Sequence, residues 1–143
     1  MNPLPMIVDA EPTPEEIRFL EERLYDFNVS ATGIDDGQWL AIFVRDEQRR
    51  IVAGIAGNTW GGCCEIRQLW VDESLRGHGL GKRLLLAAET EARRRSCTQI
   101  VLSTHSFQAP KFYEKFGFQV VAAVDDYPRG HRQIYLRKRL QAA

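Results

Sequence analysis

The residues best suited to chemistry are Arg76, Gly77, His78, Gly79, Leu80 and Gly81, set between an apolar run and a helical pattern. Glu65-Ile66-Arg67-Gln68-Leu69-Trp70-Val71 reads as a strand, Asp72-Glu73-Ser74-Leu75 as a turn, and Lys82-Arg83-Leu84-Leu85-Leu86 as the opening of a helix. A glycine-rich turn from strand to helix leaves backbone N–H groups free at the helix N-terminus, with the positive end of the helix dipole behind them. Such a turn binds phosphate. Two familiar phosphate patterns are excluded. A Walker A loop needs G-x-x-x-x-G-K-[ST], whereas Gly81-Lys82 is followed by Arg83, and Arg76 stands where the first glycine belongs. A dinucleotide fingerprint needs G-x-G-x-x-G; Gly77 and Gly79 fit its start, but Lys82 occupies the third glycine position. Lys82 and Arg83 put positive charge where the helix dipole disfavours it, which an anion in front of the turn would relieve.

Arg76-x-x-Gly79-x-Gly81 resembles the R/Q-x-x-G-x-G/A pyrophosphate loop of the GCN5-related N-acetyltransferase (GNAT) family. A second block, Ala109-Pro110-Lys111-Phe112-Tyr113-Glu114-Lys115-Phe116-Gly117-Phe118, resembles the A-x-x-x-Y-E-K-x-G-F segment of the same family, in the same order and spacing. The resemblance implies transfer of the acetyl group of acetyl-CoA to an amine by direct attack in a ternary complex, without a metal. It implies that the amides of Arg76, Gly77, His78, Gly79, Leu80, Gly81 and Lys82 hold the pyrophosphate. The backbone of Leu69, Trp70 and Val71 would pair with the pantetheine amides, as an edge strand pairs with a peptide. Ser106 stands where the family often carries a cofactor-orienting asparagine.

An alkyl ammonium has a pKa near 10.4, so a base must collect its proton before the amine can attack. The departing thiolate needs a proton in return, and a phenol with a pKa near 10 suits that task. By resemblance the phenol is Tyr113 and the base is Glu65, on the strand before the glycine turn. Asp126, Tyr127 and His131 border the loop between the last two expected strands, which in this fold helps line the acceptor pocket. His131 also titrates near neutrality if unperturbed. Cys63, Cys64 and Cys97 have no adjacent histidine that would mark a ping-pong nucleophile.

These groups must be positioned by a mixed α/β sheet. Residues 6–8 are a short strand candidate. Thr13-Pro14-Glu15-Glu16 starts a helix, with Ile17, Leu20, Leu24 and Phe27 as its apolar stripe. Residues 38–45 and 50–58 read as a hairpin, apolar on both faces in its first strand. Gly54 and Gly57 mark a bulge or a close backbone approach in its second. Residues 63–71 follow as a strand. The helix from Gly79 to about Arg95 sets Leu80, Leu84, Ala88 and Ala92 on one side. A strand at 99–104, a short helix at 109–115 closed by Gly117, and strands at 118–124 and 131–139 complete the order. The expectation is a mostly antiparallel sheet of about seven strands with about four helices, one domain over residues 1–143. In the resembled fold two parallel neighbours splay apart and the cofactor enters the gap.

At 143 residues the chain suffices for a single core. Nineteen basic and nineteen acidic side chains cancel, so no nucleic-acid partner is expected. No apolar run approaches the roughly 18 residues needed to span a bilayer. Three cysteines make no disulfide framework, and the start carries no signal-peptide pattern; the expected compartment is the cytoplasm. The expected acceptor is a small-molecule primary amine, and many relatives pair through late strands, which allows a homodimer. Two alternatives remain: a protein lysine or N-terminal acetyltransferase, and a non-catalytic acyl-CoA-binding module.

Overall fold

Thr13 does begin a helix. Its hydroxyl accepts from the Glu16 amide at 3.1 Å while the Glu16 carboxylate accepts from the Thr13 amide at 2.9 Å. This reciprocal box caps α1 (Pro14–Thr32), with Pro14 in the first turn and left-handed Gly33 at its end. A computed structural model describes residues 1–141, in two units, Met1–Asp35 and Asp36–Ala143. The first unit holds α1 alone, so within it the stripe of Ile17, Leu20, Leu24 and Phe27 has no second element to pack on. The strand expected at residues 6–8 does not form. Met6-Ile7-Val8 has apolar letters but no partner strand, and three residues cannot order themselves.

The second unit is a six-stranded sheet in the order β1-β2-β3-β4-β6-β5. The strands are β1 (Gln38–Arg45), β2 (Ile51–Trp60), β3 (Cys63–Val71), β4 (Gln99–His105), β5 (Gln119–Asp125) and β6 (Arg132–Arg139). Helices α2 (Leu80–Arg94) and α3 (Pro110–Glu114) and a 3-10 turn at Glu73–Leu75 complete it. The sheet is mixed and mostly antiparallel, as expected; β3 and β4 form its parallel pair. The core lies between α2 and one sheet face. Leu84, Leu85, Ala88 and Ala92 meet Ile55, Ile66, Ile100, Leu102 and Leu136, all buried. Each fully buried Leu or Ile contributes about 1.5–3 kcal/mol relative to exposure. Leu80, expected on the same stripe, packs against this core only in part. Strand β1 is apolar in its letters, but Trp39 and Phe43 are exposed while Leu40 is buried.

Two details of the register shape the site. The parallel pairing of β3 with β4 covers only Cys63 to Ile66 against Gln99 to Leu102. On its other side β3 stays paired to β2 as far as Val71. Between these regions Gly57 faces Ile66 and Ala56 faces Gln68, so Arg67 is an extra, bulged residue. A bulge bends its strand, and here it falls where β3 parts from β4.

The helix-terminal arginines tie elements together. Arg95 donates to the Trp39 carbonyl at 2.9 Å and the Thr59 hydroxyl at 3.1 Å. Lys138, near the end of the last strand, pairs with Glu89 at 2.9 Å. Burial alone would raise the Glu89 carboxyl, but hydrogen bonds from Lys138 and Arg93 hold it below its ordinary value.

Candidate active site

The parting of β3 from β4 leaves one edge of β3 without a strand partner from Arg67 to Val71. That edge forms one wall of an open cleft of about 890 Å³, a volume in the range of small-ligand sites. Its floor is the glycine turn with the start of α2; its other wall is Ser103, Thr104, Phe107, Gln108, Ala109, Phe112 and Tyr113.

The turn is built to leave donors free. Asp72 anchors its start, donating its amide to the Val52 carbonyl at 2.9 Å and accepting from the Ser74 amide at 3.0 Å. Gly77 and Gly79 both take positive φ, +83° and +78°, and a Cβ on either would meet nothing within 4 Å. Backbone geometry therefore requires these glycines, and the space beside them is open. Gly79 is the N-cap of α2; no side chain caps the helix and no acid occupies its first turn. Among the described residues, no amide from 77 to 82 donates to a carbonyl of the chain. Uncapped helical amides of this kind bind an anion. The Arg76 amide differs, because it donates to the Glu73 carbonyl at 3.3 Å. The Arg76 side chain donates Nε–H to the Val71 carbonyl at 3.0 Å, which ties the turn back to β3. Lys82 and Arg76 line the cleft and leave its floor electropositive. His78 lies outside the lining, its Nδ1 2.9 Å from the Arg76 carbonyl.

Leu69, Trp70 and Val71 lie on the free β3 edge, and Tyr113 lies across from them. Tyr113 sits in α3 against Phe112 and Phe118, with ring centroids 5.2 and 5.8 Å away. Burial pushes its phenol above the ordinary value, so the group keeps its proton throughout the neutral range. Glu65 lies one residue before the end of the parallel pairing and faces Val101. Its carboxylate accepts from Arg67 Nε at 3.2 Å, and it does not line the cleft.

The acceptor-side expectations fall differently. Tyr127 and His131 gather around the β4–α3 loop: His105 stacks on Phe107 at 5.2 Å, His131 meets Phe107 edge-on at 4.9 Å, and Tyr127 tilts against His105 at 5.4 Å. They therefore reach the cleft through Phe107, which lines it. Asp126 accepts from the Gly130 amide at 3.3 Å and shapes its own turn, while Asp125 pairs with Arg132 at 2.9 Å. Ser106 is likewise absent from the lining. Its hydroxyl accepts from the Arg132 amide at 3.0 Å and its amide donates to the Arg132 carbonyl at 2.8 Å, fixing the loop to β6.

Phe107, Gln108 and Phe112 belong to the lining and were not singled out from the sequence. Phe112 was legible as a neighbour of Tyr113. Nothing in the letters separates Gln108 from a solvated loop residue. No cluster of three His, Cys, Asp or Glu side chains that could hold a metal exists among the described residues. No helix among them is long and apolar enough to cross a membrane.

Comparison with known proteins places this geometry. Residues 4–118 match the acetyltransferase (GNAT) family. The chain is 36% identical over 101 residues to the blasticidin-S acetyltransferase of Streptomyces morookaense, covering 70% of this chain and 74% of that protein. Among solved structures, an acetyltransferase of Bacillus cereus ATCC 14579 superposes with a TM-score of 0.77 at 32% identity, over 94% of this chain and 98% of that one. An acetyltransferase of Agrobacterium tumefaciens gives 0.85 at 27% identity, over 96% and 100%. With its free-amide turn beside a splayed strand pair, this chain belongs to the GNAT family of acetyltransferases.

Proposed function

We propose that this protein acetylates the amino group of a small molecule, with acetyl-CoA bound in the β3–β4 cleft. The observation that carries the reading is the row of unpaired amides at residues 77–82 at the foot of the unpaired β3 edge. A pyrophosphate fits the first, and an extended chain of amides fits the second. When bound, acetyl-CoA supplies an activated acetyl group and a thiol leaving group.

The chain's own residues then have three tasks. The amides of 77–82, with Lys82 and the Arg76 guanidinium, hold the diphosphate by charge-assisted hydrogen bonds. Leu69, Trp70 and Val71 align the arm along β3. Tyr113, kept neutral by burial, holds a proton for the departing sulfur. Glu65 sits at the apex of the splay, on the strand face opposite Ile66. From there it takes the proton of the incoming ammonium through water. Tyr127 and His131, packed about Phe107, form the acceptor side.

A small-molecule acceptor is supported by the similarity to a protein named for blasticidin S. The test is release of free thiol from acetyl-CoA over a panel of small primary amines and lysine peptides. Amine-dependent release with at least one small amine is the expected result. Release with peptides alone would overturn the acceptor class, and no release with any amine would overturn the catalytic reading.

A further inference from the structure

One polar side chain in the wall facing β3 is held by the fold at one end only. Gln108 lines the cleft at the entry to α3. The His105 amide lies 2.7 Å from one end of its carboxamide, and the Thr104 hydroxyl lies 3.0 Å from the same end. A backbone N–H can only donate, so that end must be the oxygen and the amide flip is decided by chemistry. Thr104 is itself buried, which fixes the contact on the sheet side. The NH2 end keeps two donors, and among the described residues neither has an acceptor. The neighbouring Ser106 lies outside the cleft lining, its hydroxyl accepting from the Arg132 amide and its amide donating to the Arg132 carbonyl.

An extended arm of amides lying along β3 can satisfy only part of its polar groups there. In a trans amide the N–H and the C=O point to opposite sides, so an amide that donates its N–H to β3 turns its carbonyl away from β3. A carbonyl turned away from β3 meets the opposite wall, where it needs a donor once water is excluded. In that wall Phe107, Ala109 and Phe112 have no side-chain donor, and the Thr104 hydroxyl already donates to Gln108. The Tyr113 hydroxyl is assigned to the departing sulfur, which leaves Ser103 on β4 and Gln108.

We propose that Gln108 is the donor in that wall: its carboxamide, held by Thr104 and His105, binds a carbonyl of the acyl-pantetheine arm. The inference rests on the acetyl-CoA reading above. Gln108 is then a cofactor-binding residue for the arm alone and has no contact with the nucleotide end.

Calorimetry tests this with two probes, CoA and 3′-phosphoadenosine 5′-diphosphate, which lacks the arm. Gln108→Glu keeps an oxygen for Thr104 and His105 but replaces the NH2 with a second oxygen. Gln108→Leu removes both ends. Gln108→Glu should melt at the wild-type temperature and bind CoA at least about 10-fold more weakly. The arm-less nucleotide should bind both forms equally. Gln108→Leu should show the same split even if its melting point falls. Equal CoA affinity in folded wild type and Gln108→Glu overturns the inference, and so does an equal loss for both probes. Wild-type protein that binds neither probe overturns the cofactor reading, and this inference with it.

Discussion

Gly57 and Glu65 touch backbone to backbone: a Cβ added to Gly57 would stand 1.9 Å from the Glu65 carbonyl oxygen. The approach occurs at the bulge where β3 turns away from β4, so a glycine on β2 sets where the cleft opens. Gly57→Ala forces the two strands apart. It should cost about 3 kcal/mol of stability, at the upper end of overpacking effects, measured by denaturant unfolding. Any folded fraction should bind CoA more weakly because the β3 edge has shifted. Wild-type stability in this variant would show that the contact yields without strain.

The two glycines of the Arg76-x-x-Gly79-x-Gly81 motif differ physically. Gly79 has φ +78°, while Gly81 has an ordinary φ and would place a Cβ 3.7 Å from Phe112, a normal packing distance. Gly79→Ala should lose about 1–2 kcal/mol of stability and bind CoA at least about 10-fold more weakly, because the methyl enters the space beside the free amides. Gly81→Ala should retain stability and binding. Thermal melts and CoA titrations of the pair provide the check, and equal behaviour would contradict this division.

The proton-transfer roles proposed for Tyr113 and Glu65 separate by pH. Tyr113→Phe should lower kcat by about 100-fold and leave CoA affinity unchanged, because main-chain amides carry that binding. Glu65→Gln should lower the rate at pH 7 and recover toward wild type at pH 9–10, where more of the amine is already neutral. Retained turnover in Tyr113→Phe removes the acid from the account. A pH-independent deficit in Glu65→Gln removes the base.

Alkaline stability should follow the buried thiols. Burial, with Cys97 and Cys63 nearby, pushes the Cys64 thiol up to about 12, against roughly 8.5 in an unfolded chain. Between these values the folded state keeps a proton that the unfolded state has released. The stabilisation is therefore full below about pH 8.5 and is lost as pH rises toward 12, by at most about 1.4 kcal/mol per pH unit. Melting temperatures from pH 7 to 10.5 should fall above pH 8.5 in the wild type and more gently in Cys64→Ala. Parallel slopes would contradict this assignment.

The glycine turn at the start of α2 and the short helix that carries Tyr113 were legible in the letters because their signals are local. Glycines in an otherwise helical start can be read without knowing the partner strands, and so can a tyrosine in a short helix opened by Pro110 and closed by Gly117. Gly57 was also legible, since a glycine inside a strand points to a close approach. What escaped depends on register. Ser106 was expected at the cofactor because of its place in the motif, yet the pairing of β4 with β6 brings Arg132 onto it. Gln108 escaped because its value lies in which end of the amide is held, and that follows from where the His105 amide and Thr104 hydroxyl lie. Asp126 reads as an acceptor ligand because it borders the loop between the last two strands, and the fold adds that one of its carboxylate oxygens accepts from the Gly130 amide within that turn.

The central claim is that main-chain donors at residues 77–82 grip the diphosphate of acetyl-CoA. A crystal structure of the CoA complex tests it most directly. Pyrophosphate oxygens are expected within about 3.2 Å of amide nitrogens in that segment, with the arm running along Leu69, Trp70 and Val71. A diphosphate seated elsewhere, with those amides still facing solvent, would contradict it.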